Sequence, residues 1–129
     1  LINDLEQADE YVFGVPMHNF SIPSTLKLWI DQIARVGKTF SYSETGPKGL
    51  LTGKKATLLL ASGGEYGKGS AMASFDFVTP YLRAVLGFLG ITDVTIIAAG
   101  GTAQLMSGKT DPQTFLAPSL ERVHAHASL

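Results

Sequence analysis

The sequence predicts one α/β domain, residues 1–129, built on a buried parallel sheet. Three observations carry this. Three short runs are almost wholly apolar: Tyr11-Val12-Phe13-Gly14-Val15, Ala56-Thr57-Leu58-Leu59-Leu60-Ala61 and Val94-Thr95-Ile96-Ile97-Ala98. Such runs suit strands covered on both faces, since a sheet with one wet face alternates instead. Each run is followed by a stretch with helical periodicity, the strand–helix alternation of a parallel sheet with right-handed crossovers. Each also ends in a loop rich in Pro or Gly, where a strand gives out.

Taken in order, residues 1–10 mix apolar Leu1, Ile2 and Leu5 with charged Asp4, Glu6, Asp9 and Glu10, and read as the tail of a helix or a connecting segment. The first strand stops at Pro16. Ser21-Ile22-Pro23 opens a helix, with Pro23 tolerated in its first turn. Leu26, Trp29, Ile30 and Ile33 fall at i, i+3, i+4 and i+7 and form its core-facing stripe. Gly37 is its expected stop. Residues 40–53 read as an extended excursion with a turn at Gly46-Pro47-Lys48-Gly49, able to form a small hairpin. After the second strand and its Ser62-Gly63-Gly64 loop, a helix is expected over residues 74–89. Val78, Leu82, Val85, Leu86 and Leu89 would lie on one side of it, with Gly90 at the end. The third strand ends at Gly100-Gly101. A last helix starts near Gln113 or Pro118 and runs to about Ala127, with Asp111-Pro112 as a cap and first-turn signature.

Composition narrows the function. Hydrophobic residues make up 45% of the chain and charged residues 16%, which suits a packed core rather than disorder. The net charge of −1 offers no basic stripe for nucleic acid. With no cysteine, disulfides, Cys-ligated zinc, iron–sulfur clusters and a Cys nucleophile are excluded. A cytoplasmic protein fits this usage. No apolar run approaches the roughly 20 residues that span a bilayer, and no signal-peptide pattern opens the sequence.

In open parallel sheets, ligands bind in the crevice outside the carboxyl ends of the strands. Two of these ends are chemically unusual. Pro16-Met17-His18-Asn19-Phe20 precedes a helix, and Ser62-Gly63-Gly64-Glu65-Tyr66 would lie beside it. Together they suit a planar, redox-active ring such as a flavin. Met17 and Phe20 supply a polarizable apolar surface. Free amides near a helix start supply donors. Gly63 and Gly64 let the backbone approach without a Cβ clash. Each feature has a plainer reading: packing for Met17 and Phe20, a turn for the Gly pair, a cap for Asn19. Their joint occurrence at neighbouring strand ends is what points to a site.

The stretch Pro16-Met17-His18-Asn19-Phe20-Ser21-Ile22-Pro23-Ser24-Thr25-Leu26-Lys27 resembles the ring-binding signature of the FMN-dependent NADH-azoreductases, within the wider NAD(P)H:quinone reductase group. Trp29-Ile30-Asp31, Gly46-Pro47-Lys48-Gly49-Leu50, Thr52-Gly53-Lys54-Lys55-Ala56, Tyr81-Leu82 and Leu86-Gly87-Phe88-Leu89-Gly90-Ile91 extend the resemblance over residues 1–101. It implies a flavodoxin-like doubly wound fold, a homodimer and noncovalent FMN. Met17, His18, Asn19, Phe20, Ala61, Ser62, Gly63 and Gly64 would bind the cofactor. The implied reaction passes hydride from NADH or NADPH through flavin N5 to a quinone or azo compound. The cofactor carries that chemistry, and no obligatory protein acid or base is named. Some members have Ser-Arg where this chain has Ala61-Ser62, which leaves a contact from the Ser62 side chain open. His18 stands where Tyr is common. It reads as a stacking contact, or as a proton donor to the reduced acceptor. Glu65, His124 and His126 read as surface residues rather than ligands or catalysts.

A flavodoxin-like sheet has the order 2-1-3-4-5. The three strands here correspond to the third, fourth and fifth, so the first two strands and the first helix are expected to be missing from this chain. With them would go the loop that holds the FMN phosphate, leaving weak FMN affinity and an apolar strand edge. A longer protein or another chain is expected to cover that edge. The other readings are an electron-carrier or binding module of the flavodoxin type and an inactive truncated fragment. Small carriers of this type are usually strongly acidic, and the balanced charge argues against the first of these.

Overall fold

The computed structural model describes residues 1–128. A short helix α1 (Ile2–Gln7) leads into β1 (Glu10–Pro16), α2 (Ser24–Ile33), the strands β2 (Phe40–Ser43) and β3 (Gly46–Gly49), and β4 (Lys55–Ala61). A single 3₁₀ turn (Ala73–Phe75) precedes α3 (Thr79–Phe88). β5 (Asp93–Ala99), α4 (Ala103–Met106) and α5 (Pro112–Ala127) complete the order.

The three apolar runs form one parallel sheet in the order β1-β4-β5. Glu10 pairs with Lys55 and Lys55 with Asp93, and the register holds without slip to Pro16, Ala61 and Ala99. This is the expected order of the third, fourth and fifth strands, and the sheet has three strands where the full pattern has five. Period-two alternation puts Tyr11, Val15, Ala56 and Leu58 on one face, where they meet Ile30 and Ile33 of α2 and Leu82 and Leu86 of α3. Leu58 is fully buried at the centre. Gly14, Thr57, Leu59 and Ile97 belong to the other face. There α5 docks through His126, whose Nε2 lies 2.8 Å from Thr57 Oγ1. His126 is therefore a partly buried contact, not the surface residue expected. Arg122 of α5 reaches the sheet margin and donates to the Ala98 carbonyl at 2.8 Å. Among the described residues, β1 has no strand on its other side, and Val12 there is 68% exposed.

Several boundaries differ from the sequence reading. α2 starts at Ser24 because Ser21 is bridged back to His18. It ends at Ile33, short of Gly37, because Thr39 takes over the last carbonyl and the amide of Arg35 just beyond the helix. The Thr39 hydroxyl donates to Ile33 O at 2.7 Å and accepts from Arg35 N at 3.0 Å. The helix expected over residues 74–89 is broken. Asp76 turns the chain and caps α3, accepting from Val78 N and Thr79 N at 2.9 and 3.1 Å. The last helix starts at Pro112 with Asp111 accepting from Thr114 N, as the cap signature requires, and it carries Pro118 inside it. The excursion forms the antiparallel hairpin β2–β3. Its base lies on the end of α3 so closely that a Cβ on Gly49 would stand 2.1 Å from Gly90 N. Leu51 N also donates to Leu89 O there, at 2.9 Å.

Candidate flavin-binding site

The register sets the two loops side by side. Pro16 and Ala61 are partners at the carboxyl ends of β1 and β4, and Met17 N donates to Ala61 O at 2.7 Å. Beyond Met17 the chain makes a tight two-residue turn. His18 N donates to Ser21 O at 2.9 Å and Ser21 N to His18 O at 3.0 Å. The central residues, Asn19 and Phe20, both have positive φ, +49° and +71°. That is the geometry of a type I′ turn, which favours Asn at its first central position and Gly at its second. A bulky Phe in the left-handed region is an outlier for an L-residue.

The second loop is held from a third. Ser62 N donates to Ala99 O, and the loop after β5 returns three bonds: Gly101 N to Gly64 O, Thr102 N to Ser62 O, and Ala103 N to Gly63 O, at 3.0 to 3.1 Å. The Thr102 hydroxyl adds a further bond to Ser62 O at 3.0 Å. The Ser62 hydroxyl is turned inward onto Gly64 O at 2.9 Å. Its polar contact is therefore spent inside the loop. The carbonyls of Ser62, Gly63 and Gly64 are all satisfied, while the N–H groups of Gly63 and Gly64 make no hydrogen bond among the described residues. Those of Asn19 and Phe20 are likewise unpaired. A Cβ at Gly63 would meet nothing within 4 Å.

Four backbone donors at two adjacent strand ends, beside a half-buried thioether, fit a planar cofactor with acceptor atoms along its edge. The donor chemistry of these loops suits a flavin ring. Met17, Ala61 and Ser62 line one cleft of about 540 Å³ together with Glu65, Tyr66, Lys68 and Asp76. His18 and Asn19 line a different one, of about 470 Å³, with Ser24, Lys27 and Tyr81. The expected residues are therefore not gathered in one cavity, and Phe20, Gly63 and Gly64 line neither of these clefts. Glu65 is an exposed loop charge, as read, and its carboxylate passes over the glycines that follow β5. Its carboxylate lies where Cβ atoms on Gly100 and Gly101 would stand, 2.6 and 2.8 Å away. Tyr66 was read only as the end of the second loop, and Phe75 escaped the sequence reading. They pack against Phe20 with ring centroids 6.1 and 5.3 Å apart. Their only sequence signal is an unusual density of aromatic residues in polar, glycine-rich loops. Among the described residues no cluster of His, Asp and Glu could hold a metal ion.

The strand order, the crevice at the carboxyl ends and the amide-lined loops define a flavodoxin-like α/β protein. Residues 2–126 match the family model described as flavodoxin-like fold, and the chain belongs to that family. Among individual proteins, it is 54% identical over 127 residues to the FMN-dependent NADH:quinone oxidoreductase of Acidobacterium capsulatum, covering 98% of this chain and 62% of that protein. The FMN-dependent NADH:quinone oxidoreductase 3 of Burkholderia lata is 44% identical over 122 residues, with 95% and 59% covered. Of solved structures, an FMN-dependent NADH-azoreductase from Bacillus anthracis in complex with FMN superposes with a TM-score of 0.86 at 37% identity, over 98% of this chain and 58% of the other. The chain thus spans about three fifths of the length of these relatives.

Proposed function

We propose that these residues form the ring-binding part of an FMN-dependent oxidoreductase that moves electrons from NADH or NADPH to quinones or azo compounds. One observation carries the reading: the four unpaired amides of Asn19, Phe20, Gly63 and Gly64, presented by loops that the His18–Ser21 bonds and the bonds to the Ser62, Gly63 and Gly64 carbonyls hold in place. FMN, when bound, supplies the two-electron chemistry. The protein residues hold and tune it. Met17 offers a half-buried polarizable surface at the foot of the site. The amides would offer positive dipole ends to a bound ring, and the three-loop hydrogen-bond network fixes the loops that carry them. Ala61 presents no polar side chain, and the Ser62 hydroxyl is occupied, so backbone rather than side chains reads the ring at this loop. His18 is exposed and lines a cleft that the Ala61–Gly64 loop does not share, which leaves it open to contact with an incoming acceptor as well as with the ring.

The names and structures of the relatives support the same cofactor and donor. A homodimer and a cytoplasmic location belong to the reading. No helix among the described residues is long and apolar enough to cross a membrane.

Titration with FMN, followed by flavin absorbance, and NADH oxidation with a quinone acceptor test the proposal together. Saturable binding with turnover is the expected result for the protein. The 129 residues alone are expected to bind more weakly, because the proposed residues would meet the ring and none is assigned to the phosphate. Flavin binding without NADH turnover would indicate a carrier instead, and absence of both would overturn the assignment. Sedimentation of the protein would decide the dimer.

A further inference from the structure

Phe20 occupies a backbone conformation that its own side chain disfavours. At φ +71° it fills the turn position where glycine is the ordinary choice. Burial does not explain its place, because the residue is 39% exposed. What holds it is a second segment of the chain. Phe77 N donates to Phe20 O at 2.9 Å. The Phe75 ring packs at 5.3 Å in a tilted arrangement, and the Tyr66 ring meets the Phe20 edge at 6.1 Å. Tyr66 is itself folded over Gly64, where a Cβ would come within 3.2 Å of its ring. The segment can do this because α3 does not begin where helical periodicity starts. The 3₁₀ turn (Ala73–Phe75) ends at an extended Asp76 whose side chain caps α3, and just beyond it Phe77 N reaches Phe20 O.

We propose that Phe75 is a positioning residue for the ring site, the centre of a brace (Tyr66, Phe75 and the Phe77 amide) that holds the 18–21 turn in its left-handed form. The unpaired amides of Asn19 and Phe20 point where they do because both residues are left-handed. If Phe20 relaxed to negative φ, the peptide planes on either side of it would rotate relative to each other, so the Phe20 donor and the Ser21–His18 bond that closes the turn could not both keep their places. The preference of a bulky L-residue against this region is roughly tenfold or more in population. Without the brace, the turn would spend most of its time in other forms. The brace also joins the first loop to the second through Tyr66 and Gly64, so the two sets of donors are positioned relative to each other. This inference rests on the ring-site reading for its functional meaning, but the brace itself can be tested without any ligand.

The experiment uses the intact protein with Phe75→Ala, Phe75→Tyr, Phe20→Gly and the pair Phe20→Gly/Phe75→Ala. The first readout, in flavin-free protein, is hydrogen exchange at the His18 and Ser21 amides, the two bonds that close the turn. Phe75→Ala should speed both by roughly tenfold, while exchange in the core strands stays unchanged. Phe75→Tyr should match the unmodified protein. Glycine adopts positive φ freely, so Phe20→Gly should restore protection in the Phe75→Ala background. The second readout is FMN affinity, expected to fall about tenfold in Phe75→Ala and not in Phe75→Tyr, by the same loss of population. Unchanged exchange in Phe75→Ala, or no rescue by glycine, would overturn the brace. If the unmodified protein bound no FMN, the ring-site reading would fail while the exchange results still decided the brace.

Discussion

Thr39→Val is the perturbation whose size the structure constrains best. Thr39 has no exposed surface, and its hydroxyl serves two backbone groups at once. It donates to Ile33 O at 2.7 Å and accepts from Arg35 N at 3.0 Å. Valine keeps the shape and removes both bonds. Ile33 is 1% exposed, so water cannot easily replace the donor to its carbonyl. Arg35 is exposed, and its amide can be partly rehydrated. A buried polar group left without a partner costs about 1–3 kcal/mol. One full and one partial loss therefore give about 2–4 kcal/mol, a large share of the roughly 5–15 kcal/mol that holds a domain together. Thr39→Ser is the control. It keeps the hydroxyl and deletes one methyl, which costs about 1 kcal/mol. Urea unfolding of the three proteins, compared at equal m-values, gives both differences. If valine destabilised no more than serine, the hydroxyl would not be what terminates α2, and the explanation of its early end would be wrong.

The remaining predictions concern two glycines and a tyrosine. Gly63→Ala should leave the unfolding midpoint unchanged, because its Cβ meets nothing within 4 Å. It should weaken FMN binding about tenfold if a ring lies against that backbone, since one mispositioned contact of about 1.4 kcal/mol has that effect. An unaltered flavin titration would move the ring elsewhere. Gly49→Ala should cost about 3 kcal/mol by thermal unfolding, because the new Cβ would stand 2.1 Å from a backbone nitrogen rather than a movable side chain. Tyr11 donates its hydroxyl to the Leu5 carbonyl, and its pKa is raised, first by burial and then by the Asp9 carboxylate. The fold favours the neutral phenol. Its contribution is complete below the unfolded pKa of about 10 and is lost as pH climbs through the higher folded value. Stability measured against pH should therefore fall in that alkaline window, and Tyr11→Phe should abolish that part of the fall.

The strands were legible because nothing competes with an unbroken apolar run between turn residues. Val15, Leu58 and Ile97 all proved buried as read. The positions of the two site loops followed from the strands, since register fixes which ends are neighbours. What sequence alone withheld is the conformation inside the loops. The stripe of Val78, Leu82, Val85, Leu86 and Leu89 continues a helical period backward without a visible break, and only the hydrogen bonds of Asp76 reveal that the helix starts at Thr79. The left-handed Phe20 contradicts its own intrinsic preference, so local rules could not supply it. Long-range contacts with Phe75 and Phe77 override them. The bonds from Gly101, Thr102 and Ala103 to the second loop join residues about forty positions apart, and no pattern in either segment announces them. Glu65 is exposed as read, but its placement over Gly100 and Gly101 was invisible for the same reason, because those glycines come beside it only once the third strand is in place.

The Gly49–Gly90 contact sets which parts of the hairpin can change length. At its base two backbones touch with no side chain between them, so no repacking can absorb a shift, and β3 turns with α3 as one rigid arm. The tip, Glu44-Thr45, is exposed and engages only its own hairpin, through Ser43. Insertions should therefore be accepted at the tip and rejected at the base. A reporter grafted between Glu44 and Thr45 would swing with α3. It would report from the far end of that helix on any movement where Asp76 begins it.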